Sequence, residues 1–126
     1  AGFTTGKPWL RVNENYKKIN AESQINDPES VRSFYKKLIA LRKNPEYKET
    51  VVYGGLEPVW EEVHNLMAYY RKGDRTLLVV GNYQKEPQTI ELAGEYKKIL
   101  INNYDHAAVS GNKIELQGYQ FLVLEM

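Results

Sequence analysis

From Thr50 to the end of the chain, short apolar runs alternate with turn residues, and that pattern leaves few folds open. "TVVYG", "EPVWEE", "LMAYYRK", "TLLVVGN", "QTIEL", "YKKILIN", "KIEL" and "YQFLVLE" are of strand length and rich in β-branched or aromatic residues. Between them lie Gly54-Gly55, Lys72 to Arg75, Gln84 to Pro87, Ala93-Gly94, Ser110 to Asn112 and Gln117-Gly118, the residue types that turns require. Ile90 and Leu92, Ile99 and Ile101, and Ile114 and Leu116 fall at the period of two that a half-buried strand shows, with polar Glu91 and Glu115 between the first and last pairs and apolar Leu100 within the middle one. "LLVV" is apolar on both faces, which marks a central strand or one whose second face meets another layer. The predicted class is mainly β: an antiparallel β-sandwich of about eight strands over residues 45–126.

One segment carries the other periodicity. In "DPESVRSFYKKLIALRKNPEY" the apolar positions Val31, Phe34, Tyr35, Leu38, Ile39 and Leu41 recur at the three-and-four spacing of a helix stripe. Asp27 is placed to cap, Pro28 suits the first helical position, and Glu29 suits the positive end of the dipole. Arg42 and Lys43 sit at the negative end, and Asn44-Pro45 stops the helix, which is therefore predicted over residues 27–44. One helix cannot cover a sandwich. Its stripe is expected to belong to a different layer, while the β part forms its own core.

A chain of 126 residues suits one ordinary domain. Its 17 basic and 16 acidic residues leave a net charge of +1. The isolated pairs Lys17-Lys18, Lys36-Lys37 and Lys97-Lys98 read as solvated faces rather than a nucleic-acid footprint. There is no cysteine, which removes disulfide and thiolate chemistry and favours a cytoplasmic home. No apolar run approaches the roughly 20 residues of a membrane helix.

Residues able to carry a reaction are few. His64 and His106 lie far apart and read as exposed loop residues, short of the ligand spacing that a metal needs. In a strand, Glu61 and Glu62 would point to opposite faces and could not cooperate on one substrate. Ser23, Ser30, Ser33 and Ser110 lack the Gly-x-Ser-x-Gly context of a nucleophile. No cofactor or metal is called for. The surplus is aromatic: ten Tyr, three Phe and two Trp. Tyr69, Tyr70, Tyr119 and Phe121 fall in expected strands, where packing accounts for them. An alternative reading is a carbohydrate-binding β-sandwich module whose aromatics stack on sugar rings.

The first 26 residues fit neither periodicity. "AGFTTGKPWLRVNENYKKIN" is turn-rich, does not begin with methionine, and places Phe3, Trp9 and Tyr16 in an irregular stretch. It reads as the interior of a longer chain. This stretch, together with "SVRSFYKKLIALRK" from Ser30 to Lys43 and "NLMAYYR" from Asn65 to Arg71, resembles the ending of one enzyme group. That group comprises the oligo-1,6-glucosidase and α-glucosidase members of glycoside hydrolase family thirteen, the α-amylase superfamily. The resemblance extends over essentially the whole chain. Arg11 and Glu14 stand where relatives often carry proline, which implies a less rigid loop.

The resemblance implies a parent with a (β/α)₈ barrel, an inserted subdomain and a C-terminal sandwich. Residues 1–44 would then be a remnant of the catalytic barrel, with residues 1–26 the loop after its eighth strand and residues 27–44 its eighth helix. Residues 45–126 would form the C-terminal domain. Such a loop lies on the catalytic face of a barrel, and Phe3, Lys7 and Trp9 would be its substrate-proximal residues. The parent reaction would be hydrolysis of α-glucosidic bonds of small oligosaccharides with retention. Its catalytic carboxylates would precede Ala1, so this chain is expected to be inactive alone. Its partners would be the oligosaccharide substrate and the missing barrel; where the barrel is absent, the helix is expected either to fold onto the sandwich or to mediate self-association.

Overall fold

The computed structural model describes residues 4–126, which separate into two compact units, residues 4–37 and 38–126. The second unit contains two antiparallel sheets. Strands β1 (Gly55–Pro58), β2 (Leu66–Lys72), β3 (Thr76–Asn82), β5 (Lys98–Asn102) and β8 (Phe121–Glu125) form a five-stranded sheet in the order β1-β2-β3-β8-β5. Strands β4 (Gln88–Glu91), β6 (Ala108–Ser110) and β7 (Lys113–Leu116) form a three-stranded sheet in the order β4-β7-β6.

Register follows the apolar alternation. Leu78 pairs with Leu124, Val80 with Leu122 and Ile90 with Ile114. These residues, with Ala68, Leu92 and Leu116, form the buried core between the sheets. Each fully buried aliphatic side chain stabilises the fold by about 1.5–3 kcal/mol relative to exposure. β3 is central, as "LLVV" predicts. Leu78 and Val80 face the core, while Leu77 and Val79 face an apolar cavity of about 480 Å³ on the other side. Helical residues of the same unit, among them Leu38, Leu41, Val51 and Val52, complete that cavity.

Among the described residues eight strands are present, but they are not the eight expected. "TVVYG" is helical: α2 spans Lys48–Tyr53. Tertiary anchoring overrides the β preference of Val51 and Val52. The Thr50 hydroxyl accepts from Arg75 N at 3.0 Å and donates to Arg75 O at 3.3 Å, and Tyr47 just upstream is buried. "EPVWEE" yields only the short β1, because Trp60 adopts a left-handed φ of 55° and turns the chain. β6 has no exposed–buried alternation to announce it. It is paired through a two-residue Gly111-Asn112 connection in which Gly111, at φ 62°, supplies the positive dihedral of a type II′ hairpin. In β5 a register shift between Ile99 and Ile101 interrupts the expected alternation.

Helix α1 spans Val31–Lys43, so its start falls later than residue 27. Ser30, not Asp27, is the cap. Its hydroxyl accepts from Ser33 N at 3.2 Å, its carbonyl accepts from Phe34 N at 2.9 Å, and Gln24 Oε1 accepts from Arg32 N at 2.9 Å. Asp27 instead closes a local turn by accepting from Glu29 N, so Pro28 precedes the helix. No residue of α1 is buried. Val31 is 68% exposed, and Phe34 and Leu41 are half-buried.

Candidate functional site

The lead-in loop is built almost entirely from near-neighbour hydrogen bonds. Asn13 caps a single 3₁₀ turn, Glu14–Lys17, its side chain accepting from Asn15 N at 3.1 Å. Asn20 Nδ2 donates to Tyr16 O at 2.8 Å, and Asn20 Oδ1 accepts from Ser23 N at 2.8 Å. Arg11 and Glu14 pair at 2.8 Å in full exposure, an ion pair of small energetic weight. Of the three residues expected near substrate, Phe3 lies outside the described residues. Lys7 is exposed, and Trp9 is 92% exposed. A tryptophan left so open contributes almost nothing to its own unit's packing.

Within residues 38–126 the densest charge cluster surrounds Glu125, whose side chain is 2% exposed. Tyr47 Oη donates to Glu125 Oε2 at 2.9 Å, and the Arg75 guanidinium pairs with Oε1. Lys97 and Lys98 approach at 3.9 and 3.7 Å. Arg75 also pairs with Glu46 at 2.8 Å, and both Arg75 and Lys98 lie over the Tyr47 ring. Burial pushes the Glu125 carboxyl up, but the Tyr47 hydroxyl and Arg75 outweigh it and hold the group below its ordinary range. Hydrogen bonding to Glu125 raises Arg75, and Tyr47 raises Lys98. Every charge in this cluster is committed to another. It ties the segment before α2 to β3, β5 and β8, and it offers no free acid or base.

The other candidates stay apart. Glu61 and Glu62 sit in an exposed turn rather than a strand, again because of the reversal at Trp60. His64 and His106 are exposed loop residues, as expected, and each lends only its backbone carbonyl to a neighbouring glutamine. Among the described residues no group of three or more His, Cys, Asp or Glu is placed to hold a metal ion. No helix of the described residues is long and apolar enough to cross a membrane. The apolar cavity over β3 is lined by two cations, Arg42 and Arg71, the second with its Nε buried without a partner, and by no carboxylate. It cannot host an acid–base pair. Two features were invisible in the sequence: the ion cluster at Glu125, and a lattice of buried amides around Asn82 and Gln120. A lone glutamate at the end of an apolar strand is the single hint of the first.

Comparison with known proteins divides the chain where its elements divide. Residues 1–54 match the family model of the α-amylase catalytic domain, and residues 66–123 match that of the C-terminal domain of the α-amylase SusG. The chain is 40% identical to an oligo-1,6-glucosidase of Bacillus cereus over its full length, which is 23% of that protein. Among solved structures, the trehalulose synthase of Pseudomonas mesoacidophila superimposes with a TM-score of 0.85 at 37% identity, over 98% of this chain and 23% of that one. The trehalose-6-phosphate hydrolase of Bacillus licheniformis does so with 0.81 at 36% identity, over 98% and 23%. The chain thus spans about a quarter of the length of the relatives it matches. Matching a catalytic-domain model and then a C-terminal-domain model along its length, the chain belongs to glycoside hydrolase family thirteen, the α-amylase superfamily.

Proposed function

We propose that this chain is the C-terminal portion of an α-glucosidase of the oligo-1,6-glucosidase type, hydrolysing α-glucosidic bonds of small oligosaccharides with retention at the anomeric carbon. The observation that carries this reading is the match, at 40% identity across the whole chain, to an oligo-1,6-glucosidase. In this reading residues 1–44 complete the catalytic barrel. The loop through residue 26 borders the substrate entrance, where Phe3, Lys7 and Trp9 contact the outer part of the sugar. The openness of Trp9 supports that role, because an indole held in water gains by stacking on a pyranose face. Residues 45–126 form the C-terminal β-sandwich domain.

The retaining mechanism needs a carboxylate nucleophile and a protonated carboxylic acid about 5 Å apart. The buried Glu125 is ion-paired, and the lead-in acids are exposed and scattered. The chain alone is therefore expected to be inactive, with the catalytic pair supplied by the rest of the barrel. The exposed apolar side chains of α1, Val31 and Leu38 among them, are the surface that the rest of the barrel would cover. Without it, the isolated chain is expected to self-associate. The cysteine-free composition fits a cytoplasmic enzyme. The test is hydrolysis of isomaltose and maltose by the full-length enzyme containing these residues. Glucose release with initial retention supports the assignment, and inactivity on both sugars would refute it.

A further inference from the structure

Three turns meet at one end of the sandwich: residues 83–87 after β3, residues 103–107 after β5 and residues 117–120 before β8. Cross-links hold them together. Tyr119 N donates to Gln84 O at 3.1 Å, Asn103 Nδ2 to Tyr119 O at 2.9 Å, and Tyr104 Oη to Gly118 O at 2.7 Å. Beneath them Asn82 and Gln120, both fully buried, bond to backbone and to other amides. The packing is tight enough that a Cβ on Gly118 would stand 2.1 Å from Lys85 O. On this rigid base Tyr119 is 57% exposed, Tyr83 51% and Tyr104 39%.

Tyr119 is the anomaly. Gln120 N donates to Gln117 O, which makes Tyr119 the third residue of a β-turn, and its φ is 59°. Glycine is the ordinary occupant of that position, and a bulky residue there is strained. A strained residue is commonly repaid by burial of its side chain, yet this ring stands in water. Unrepaid strain that holds a side chain outward is a mark of function. The expectation that Tyr119 lies in a strand, explained by packing, is accordingly replaced.

We propose that Tyr119, Tyr83 and Tyr104 form a platform that binds an uncharged glucan by stacking its pyranose rings. The chemistry favours a sugar over a protein surface. The three turns contain no Leu, Ile, Val or Met, and their charges, Lys85, Glu86 and Asp105, nearly cancel. Of the flanking amides, Asn65 donates to Gln84, Gln84 to Glu86 O and Asn103 to Tyr119 O, and each amide nitrogen carries two N–H groups, enough to serve a fold contact and a sugar hydroxyl. The choice of an α-glucan rests on the α-glucosidase reading; the existence of the platform does not.

The test is affinity electrophoresis of the chain in native gels cast with dextran, soluble starch or galactomannan, paired with thermal melts and sedimentation. The wild type is expected to be retarded by dextran or starch, Tyr119→Gly to lose the retardation without a lower Tm, and Tyr83→Ala to weaken it. Retardation by galactomannan alone would overturn the α-glucan choice and leave the platform standing. The platform itself is overturned by any of three results: no retardation in any gel, a Tyr119→Gly variant that melts lower, or a Tyr119→Gly variant that keeps wild-type retardation. Hydrolytic activity enters none of these readouts, so failure here is separable from failure of the glucosidase assignment.

Discussion

Asn82→Ala should damage this sandwich far more than an average polar substitution. The side chain is fully buried at the end of β3. Its Nδ2 donates to Glu86 O at 2.9 Å and Gln117 O at 3.0 Å, while its Oδ1 accepts from Gln84 N and Gln88 Nε2, both at 3.1 Å. Three of those four groups keep a second partner after truncation: Gln84 Nε2 also reaches Glu86 O, Gln88 Nε2 also reaches His64 O, and Gln120 N also donates to Gln117 O. Gln84 N alone loses its partner. An unsatisfied buried group costs about 1–3 kcal/mol. For a unit of this size each kcal/mol lowers Tm by about 4–8 °C, which places the expected fall at roughly 4–24 °C. Thermal melts followed through Trp60, which packs against the sandwich core, read this directly. A fall of only ~2 °C, the effect of an ordinary surface change, would refute the claim that the amide lattice fixes the turns.

The Glu125 cluster sets a pH window. The folded-state pKa of Glu125 is lowered, so its stabilisation is present above the ordinary carboxylate value and is lost as pH falls through the folded value. Lys98 is raised, so its share is present below the ordinary lysine value and is lost as pH rises through the folded one. Denaturant titrations from acid to neutral pH should therefore show a steeper acid limb in the wild type than in Glu125→Gln, and equal limbs would contradict the assignment. At the start of α1, Ser30→Ala should cost about 1 kcal/mol of helix stability and Asp27→Ala distinctly less. Far-UV circular dichroism melts that rank the two variants the other way would restore Asp27 as the cap.

How much of this was legible in the sequence depended on whether a signal was local. β2, β3, β4, β7 and β8 could be read because alternation and flanking turns are written within each segment. α2 could not. Its helicity depends on Thr50 meeting Arg75 and Tyr47 meeting Glu125, contacts that join residues far apart in the chain. The start of α1 was misplaced by a few residues because Asp27 and Ser30 are both good caps, and only the reach of Gln24 to Arg32 decides between them. The turn at Gln117-Gly118 was legible, but that it takes in Tyr119 was not, since glycine is the residue that belongs there by conformation. Family membership was legible from the lead-in, whose unusual order of glycine, aromatic, proline and asparagine residues needs no fold to be recognised.

The measurement that bears most directly on the account is a comparison of glucose release from isomaltose by the full-length enzyme and by residues 1–126 alone. The account predicts turnover by the first and none by the second. Turnover by residues 1–126 alone would contradict it, because a catalytic pair would then have to exist among side chains that the structure leaves ion-paired or scattered.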